Sequence, residues 1–261
     1  MNRILLCGLA SYFLLGAAKP TIADTLSVVA TADSEVDALQ PSTAFPTGAL
    51  AAAKEGAPET QATQLTFFYA QFDLPGGLTG QDIESVNSVD MTIFQNGPDF
   101  SLTYYVYGVL DGQDAASADS YTWNQGVGFD PSHTLVKFLG PDEISYYSDP
   151  AKSVFVGTLD TGAAGPGPIN FAGTGQSPTA AAALKNLVLN DTDGRLTFYV
   201  GSRANFGVTA ANTFASLETT NSPPVAPPTL TLNFEPIPEP STLILSGCGV
   251  FILASVRRRR D

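Results

Sequence analysis

The sequence has little cysteine, histidine or basic charge outside its two ends. Its 261 residues include two cysteines, Cys7 and Cys248, and both lie in terminal apolar runs. The region between residues 24 and 238 therefore has no cysteine, which excludes a disulfide framework, a thiolate zinc site and a cysteine nucleophile there. The single histidine, His133, excludes two-histidine metal motifs and leaves any Ser-His-Asp triad dependent on one imidazole.

Positive charge is scarce in the same central region. The whole chain has 12 Lys and Arg against 25 Asp and Glu, which gives a net charge of −13. Between residues 24 and 238, six cations stand against 23 acids, a net charge of −17. Because such a surface repels a phosphate backbone, we expect no nucleic-acid partner. With about 215 residues, the region is long enough to bury the core of one all-β domain.

The N-terminus, residues 1–23, has the pattern of a secretory signal peptide. Arg3 precedes an apolar run from Ile4 to Ala18, and small residues lead to Ala23, after which we expect cleavage. A buried amphipathic helix is the alternative, but in such a helix the apolar residues of this run would lie on all sides instead of on one stripe. Cys7 lies at the start of the run, so we assign it to the removed segment.

The C-terminus, residues 236–261, combines three features in a fixed order. The first is a tripeptide of Pro238, Glu239 and Pro240. An uncharged run of about 16 residues follows, which as a helix would measure about 24 Å against a hydrocarbon core of about 30 Å. The last feature is a cluster of four arginines, Arg257, Arg258, Arg259 and Arg260. These arginines favour a cytoplasmic end, so we expect a transmembrane helix with the central region outside the cell.

This order of Pro-Glu-Pro, short apolar helix and arginine cluster resembles the PEP-CTERM sorting signal. The resemblance covers the tail alone. It implies that a membrane-embedded exosortase processes the chain near Pro-Glu-Pro and leaves a bacterial surface or extracellular-matrix protein, usually in an organism that makes exopolysaccharide. A permanent C-terminal anchor is the alternative, although such an anchor needs no Pro-Glu-Pro before its helix.

Several central segments alternate apolar and polar residues with a period of two. Their apolar faces carry, segment by segment, Phe68, Ala70, Phe72 and Leu74; Val89, Met91 and Ile93; Leu196, Phe198 and Val200; and Leu230, Leu232 and Phe234. The alternation predicts half-buried strands of antiparallel sheet. The segment FSLTYYVYGVL is apolar on both faces and predicts a central strand. The segment SPTAAAALKNLVLN predicts one helix, with Ser177 as its cap and Pro178 in its first turn. The fold class is therefore an all-β sandwich with one short helix.

The order of these segments resembles the DNRLRE-type domain over nearly all of residues 24–235. The matching positions are Phe72, Asp73 and Leu74; Thr122, Trp123 and Asn124; Ser216 and Glu218; and Pro227 with Pro228. The resemblance implies a single jelly-roll β-sandwich, and some relatives are carbohydrate-binding modules for polysaccharides such as alginate. The chain departs from the family pattern in residues 202–218 and in the long region 111–175.

Aromatic rings next to amides predict a carbohydrate site, because sugars stack on rings and bind amides through their hydroxyls. The candidate residues are Trp123, Asn124, Gln125, Tyr105 and Tyr107, with Tyr104, Tyr146 and Tyr147 as further rings. The alternative for Trp123 is a core residue that pins a loop, and for the tyrosines it is ordinary sheet packing. Arg195 and Arg203 are suited to an anionic sugar, or else are solvated or salt-bridged residues at strand ends.

Calcium is the cofactor that an acidic exported domain suggests, since its ligands are carboxylate and carbonyl oxygens. The candidate clusters are Asp33, Glu35 and Asp37; Asp111 and Asp114; and Asn190, Asp191 and Asp193. The alternative for the last cluster is a turn between the helix and a strand.

The sequence thus predicts a non-catalytic, exported surface or matrix protein that binds or packs among exopolysaccharide, with exosortase as its processing partner. The first alternative is a structural or adhesive matrix protein without a defined ligand. The second is a secreted polysaccharide hydrolase or lyase, because two carboxylates are enough for glycoside cleavage. With 23 acids some pair is inevitable, and His133 has Ser132 and Asp130 close by only in sequence.

Overall fold

Antiparallel strands and one α-helix make up the described part of the chain. In this computed structural model the described residues are 23–37, 40–46, 50–55, 64–97, 102–131, 149–161, 166–202, 210–217 and 226–237. The strands are β1 (Asp24–Val29), β2 (Ala32–Asp37), β3 (Leu50–Glu55), β4 (Gln64–Asp73), β5 (Ile83–Gly97), β6 (Thr103–Val109), β7 (Ser153–Asp160), β8 (Gly167–Ala172), β9 (Arg195–Ser202), β10 (Ala210–Phe214) and β11 (Thr229–Pro236). The helix is α1 (Pro178–Leu189). Within these ranges no helix is both long enough and apolar enough to cross a membrane.

The strands form two antiparallel layers that are joined at one side. Backbone pairing follows the order β1-β11-β5-β10-β3-β4-β9-β6-β7, with β8 added to β5 and β2 added to β4. One layer therefore contains β1, β11, β5 and β8, and the other contains β2, β4, β9, β6 and β7. The link is made by β10 and β3, which pair with each other and with the ends of β5 and β4. The predicted fold class, an all-β sandwich with a helix, is confirmed at this level.

The core between the two layers is built from the predicted apolar faces. Phe68 and Phe72 of β4, Val106 of β6, Ile93 of β5 and Leu232 of β11 are all buried in one cluster. Because side chains alternate across a strand, each of these faces turns inward as a set. The faces predicted from period-two alternation in β4, β5, β9 and β11 are thus confirmed.

The helix α1 closes the same core at the side of β5 and β7. Leu184, Leu187 and Val188 are buried in the inter-layer cluster. The side-chain oxygen of Ser177 accepts a hydrogen bond from the backbone N–H of Ala180 at 3.3 Å, and Pro178 occupies the first turn. The predicted cap and first-turn proline are therefore confirmed.

Two strands, β7 and β8, lie in the region 111–175 that the sequence indicated to be poor in strands. Gly157 of β7 has a φ of 145°, and the register shifts opposite it between Val106 and Tyr107. Such a bulge places an extra residue in one strand and interrupts the apolar alternation on which the prediction depended. In β8 the sequence GPINFA alternates at only two large apolar residues, Ile169 and Phe171, which is too short a pattern to predict a strand.

The outer face of the β4-β9-β6 layer is also buried, as predicted for β6 alone; the prediction that β4 and β9 are half-buried strands is wrong. Phe67 and Tyr69 of β4, Tyr107 of β6 and Tyr199 of β9 point away from the inter-layer core and form a second cluster. The connection after β6, residues 110–131, covers them, and we call it the covering loop. Tyr121, Trp123 and Phe129 are among its buried side chains. We call this second cluster, on the outside of the second layer, the outer aromatic cluster.

The first and last strands lie side by side. In their antiparallel pairing, Asp24 at the start of β1 faces Phe234 near the end of β11. Residues 1–22 and 238–261, which hold most of the predicted signal peptide and the sorting tail with Pro238 and Arg257, lie outside the described residues. The start of β1 and the end of β11 therefore lie next to each other at one edge of the first layer.

Candidate functional site

The outer aromatic cluster is held by ring packing. Tyr107 and Tyr199 are stacked with centroids 4.8 Å apart and an interplanar angle of 8°. The Trp123 ring lies 5.3 Å from that of Phe67 and 4.7 Å from that of Phe129. These separations lie within the range of favourable aromatic pairs.

Hydrogen bonds attach the covering loop to the strands beneath it. The Tyr69 hydroxyl donates to the Val127 carbonyl at 2.5 Å, and the Tyr199 hydroxyl donates to the Gly128 carbonyl at 3.2 Å. Trp123 donates through Nε1 to the Pro131 carbonyl at 3.2 Å. Burial raises the pKa of the Tyr69 and Tyr199 hydroxyls well above the ordinary tyrosine value, so both remain neutral donors.

The rings predicted as a sugar-stacking platform are enclosed by this packing. Trp123 is 1% exposed, Tyr107 is 2% exposed and Tyr105 is 8% exposed. Trp123 contacts the rings of Phe67 and Phe129, as the alternative interpretation of a core residue that pins a loop requires. Asn124 and Gln125 are exposed, but Asn124 Nδ2 donates to Ser42 Oγ at 3.0 Å, and Gln125 Oε1 accepts from the Thr122 N–H at 2.7 Å.

A buried glutamine, Gln71 of β4, fastens the middle of the covering loop. Its Nε2 donates to the Ala116 carbonyl at 3.1 Å and to Thr197 Oγ1 at 3.2 Å, and its Oε1 accepts from the Ala118 N–H at 3.2 Å. Sequence analysis did not identify this residue. Its position on the face opposite Phe68, Ala70 and Phe72 indicated an outward, solvated side chain.

Arg195, at the start of β9, is a salt-bridged strand-end residue. Its Nε lies 2.8 Å from Asp73 Oδ1, and its Nη1 donates to the Ala115 carbonyl at 3.1 Å. The hydrogen bond from Arg195 to Asp73 is the main cause of its raised pKa. The guanidinium that was predicted to suit an anionic sugar is therefore engaged within the chain. Arg203, His133, Tyr146 and Tyr147 lie outside the described residues.

Beside Arg195, three carboxylates meet from two distant parts of the chain. Asp111 and Asp114 begin the covering loop, and Asp193 belongs to the turn between α1 and β9. One side-chain oxygen from each residue lies within 4.8 Å of the other two. Burial is the main cause of the raised pKa of Asp114, about 6; the nearby Thr197 hydroxyl lowers this pKa, and the charge of Asp193 raises it. We call these three residues the acidic cluster.

The turn that presents Asp193 is organised by Asp191. The carboxylate of Asp191 is buried and accepts from the backbone N–H groups of Gly194 and Arg195, each at 3.1 Å. Gly194 has a φ of 76°, which favours glycine. The alternative interpretation of residues 190–194, a turn between the helix and a strand, is thus confirmed for Asp191. Thr192 Oγ1 donates to Asp111 Oδ2 at 2.5 Å, and this hydrogen bond joins the turn to the covering loop.

The first predicted acidic cluster lies on β2, and two of its members are buried. Asp33 is fully buried and its Oδ2 accepts from the Leu217 N–H at 2.8 Å, while its backbone N–H donates to Asp119 Oδ1 at 3.2 Å. Asp37 is also buried. Asp33 therefore connects β2 to the segment that follows β10.

Comparison of the chain with protein-family models and with curated proteins found no match. The arguments for function therefore depend on the sequence and on the arrangement described above.

Proposed function

We propose that this chain is an exported, exosortase-processed, non-catalytic protein of the bacterial surface or extracellular matrix. In this proposal the central region is a single jelly-roll sandwich that binds or packs among exopolysaccharide. The precursor carries a signal peptide over residues 1–23 and a sorting tail over residues 236–261. Exosortase, acting near Pro238, Glu239 and Pro240, is its processing partner.

The observation that supports the proposal is the position of the first and last described strands relative to the two predicted processing sites. Strand β1 starts at Asp24, directly after the expected cleavage position, and β11 ends at Pro236, two residues before the Pro-Glu-Pro. The side chain of Ile237 is 51% exposed. Cleavage after Ala23 and near Pro238 would therefore leave every described strand intact, with the exposed residues Asp24 and Ile237 at the two cut ends on the same side of the sandwich.

Mass spectrometry of the mature protein from its native host tests the sorting proposal. We expect an N-terminus at Asp24 and loss of Arg257–Arg260 in the wild-type strain, with the arginines retained when the exosortase is deleted. As a control, alanine at Pro238, Glu239 and Pro240 in the wild-type strain should also retain them. Arginines that remain on the mature wild-type protein would favour a permanent anchor.

A structural or adhesive matrix protein without a defined ligand is the second candidate. It is favoured by the enclosure of Trp123, Tyr105 and Tyr107, because buried rings are not open to a sugar face. Affinity electrophoresis in alginate, cellulose and native exopolysaccharide, with and without Ca²⁺, distinguishes the two. Retardation supports binding to exopolysaccharide, and unchanged mobility in every gel supports the structural role.

The same preparations also test for catalysis. Incubation with each polysaccharide should release neither reducing ends nor unsaturated uronates. Release of either product would contradict the non-catalytic proposal and favour a hydrolase or a lyase.

A further inference from the structure

Asp114 is a buried carboxylate without a hydrogen bond of ordinary geometry to the described residues. The residue is 1% exposed, and among the described residues no donor lies in ordinary hydrogen-bond geometry to Oδ1 or Oδ2. Buried carboxylates in native proteins are hydrogen-bonded, paired with a cation or bound to a metal. The two oxygens of Asp114 therefore call for a ligand that the described side chains do not supply.

Hydrogen bonds to its backbone carbonyl hold Asp114 in place, and the nearby guanidinium of Arg195 binds other groups than the Asp114 carboxylate. The Asp114 carbonyl accepts from Gln71 Nε2 and from Arg195 Nη1, each at 3.4 Å. Arg195 directs its Nε to Asp73 and its Nη1 to the Ala115 carbonyl as well. The guanidinium thus fixes the backbone of the loop and makes no hydrogen bond to the Asp114 carboxylate.

The oxygens of Asp111 and Asp193 lie close enough to Asp114 for one cation to bind all three. Two oxygens bound to one Ca²⁺ at 2.3–2.6 Å lie at most about 4.6–5.2 Å apart, and the acidic cluster holds its three oxygens within 4.8 Å. Mg²⁺ demands a near-ideal octahedral shell and keeps several waters, so ligands from two distant segments suit the more adaptable Ca²⁺ better. Because all three ligands are carboxylates, the site is suited to a hard cation and not to Zn²⁺ or Cu⁺.

We propose that Asp111, Asp114 and Asp193 bind one Ca²⁺ that joins the start of the covering loop to the turn before β9. Water molecules fill the remaining coordination positions. The ion neutralises the buried charge of Asp114 and the repulsion within the acidic cluster, and it holds the loop that encloses the outer aromatic cluster. This site does not depend on the proposed surface function.

Calorimetric titration and thermal unfolding of the full-length protein, purified in mild detergent and treated with EDTA, test the site. We expect one Ca²⁺ per chain with a dissociation constant of about 10⁻⁴–10⁻³ M, the range of extracellular calcium modules. At 100 times that constant, Ca²⁺ should raise the unfolding temperature by about 5–10 °C. Mg²⁺ should bind more weakly than Ca²⁺.

Three variants with the same change of charge localise the effect. Asp114→Asn and Asp193→Asn should each weaken Ca²⁺ binding at least about tenfold. Asp24→Asn, which changes an exposed acid at the start of β1, should leave binding unchanged. In EDTA, Asp114→Asn should unfold at the same temperature as the wild type or higher, since the amide removes an unpaired buried charge. If Asp114 had a purely structural role, Asp114→Asn would instead unfold at a lower temperature than the wild type in EDTA.

Specific results would overturn the proposal. One is the absence of heat and of a thermal shift in the wild-type protein up to about 10 mM Ca²⁺, well above the expected dissociation constant. Another is an equal response in Asp193→Asn and Asp24→Asn. Asp193 is exposed, so its variant keeps the test decisive even if Asp114→Asn fails to fold.

Discussion

Replacement of Trp123 by alanine separates the packing role of this residue from the stacking role that its sequence context suggested. Trp123 is 1% exposed, contacts Phe67 and Phe129, and donates to the Pro131 carbonyl. A buried tryptophan removes about 200 Å² from water, which at about 25 cal/mol per Å² corresponds to about 5 kcal/mol. This area is an upper limit, because the unfolded chain already buries part of it. Alanine also buries some area, but it leaves a cavity and a carbonyl without its donor.

We therefore expect Trp123→Ala to lower the free energy of unfolding by about 4 kcal/mol, within the range for buried Trp→Ala changes. For a domain of this size the unfolding temperature should fall by about 8–16 °C. Urea denaturation followed by circular dichroism measures the loss without using the tryptophan itself. In the wild-type protein, the single tryptophan should be protected from acrylamide quenching until the protein unfolds.

Asn124→Ala is the matched control, because Asn124 is the exposed next residue in the same turn. Its effect should stay within about 0.5 kcal/mol, as for most surface substitutions. A loss below about 1 kcal/mol in Trp123→Ala, together with easy quenching of the wild-type tryptophan, would refute the packing role and restore the stacking platform.

Three further substitutions test the supports of the loop, the turn and the helix. Gln71→Leu should cost about 2–4 kcal/mol in urea denaturation, since it leaves the Ala118 N–H and other buried groups without partners; no measurable loss would show that the loop is held without them. Gly194→Ala should cost about 2 kcal/mol, more than Gly76→Ala, because both glycines have positive φ but only at Gly194 would a Cβ meet backbone, 2.9 Å from a carbonyl oxygen. Equal costs in the two glycine variants would contradict this reason. Ser177→Ala should cost about 1 kcal/mol through the lost helix cap, and Ser177→Asp should restore it.

The strands were predictable where alternation was long and uninterrupted. In β11, and in β5 between Val89 and Ile93, every second residue is apolar, and these residues are the ones buried between the layers. In β2, by contrast, Asp33 and Asp37 are buried although they are acidic. No period-two pattern of apolar residues marks such a strand, because its burial depends on hydrogen bonds made after folding.

The burial of the outer aromatic cluster was predictable from the sequence only in part. The segment TFFYA in β4 places aromatic residues at both odd and even positions, as FSLTYYVYGVL does in β6. The same argument that predicts a central strand for the second segment applies to the first. It predicts burial on both faces, but it does not say which part of the chain covers the outer face.

By itself, the sequence determined which residues of β4, β5, β9 and β11 share a face, the excess of acidic charge, and the absence of cysteine between the two predicted address segments. These properties follow from composition and from local periodicity. Only the tertiary structure decided that residues 110–131 enclose the rings of β4, β6 and β9, and that Asp111 and Asp114 meet Asp193. Period-two alternation specifies the face of a strand and not its neighbours, so contacts across about 80 residues depend on the order in which strands pair.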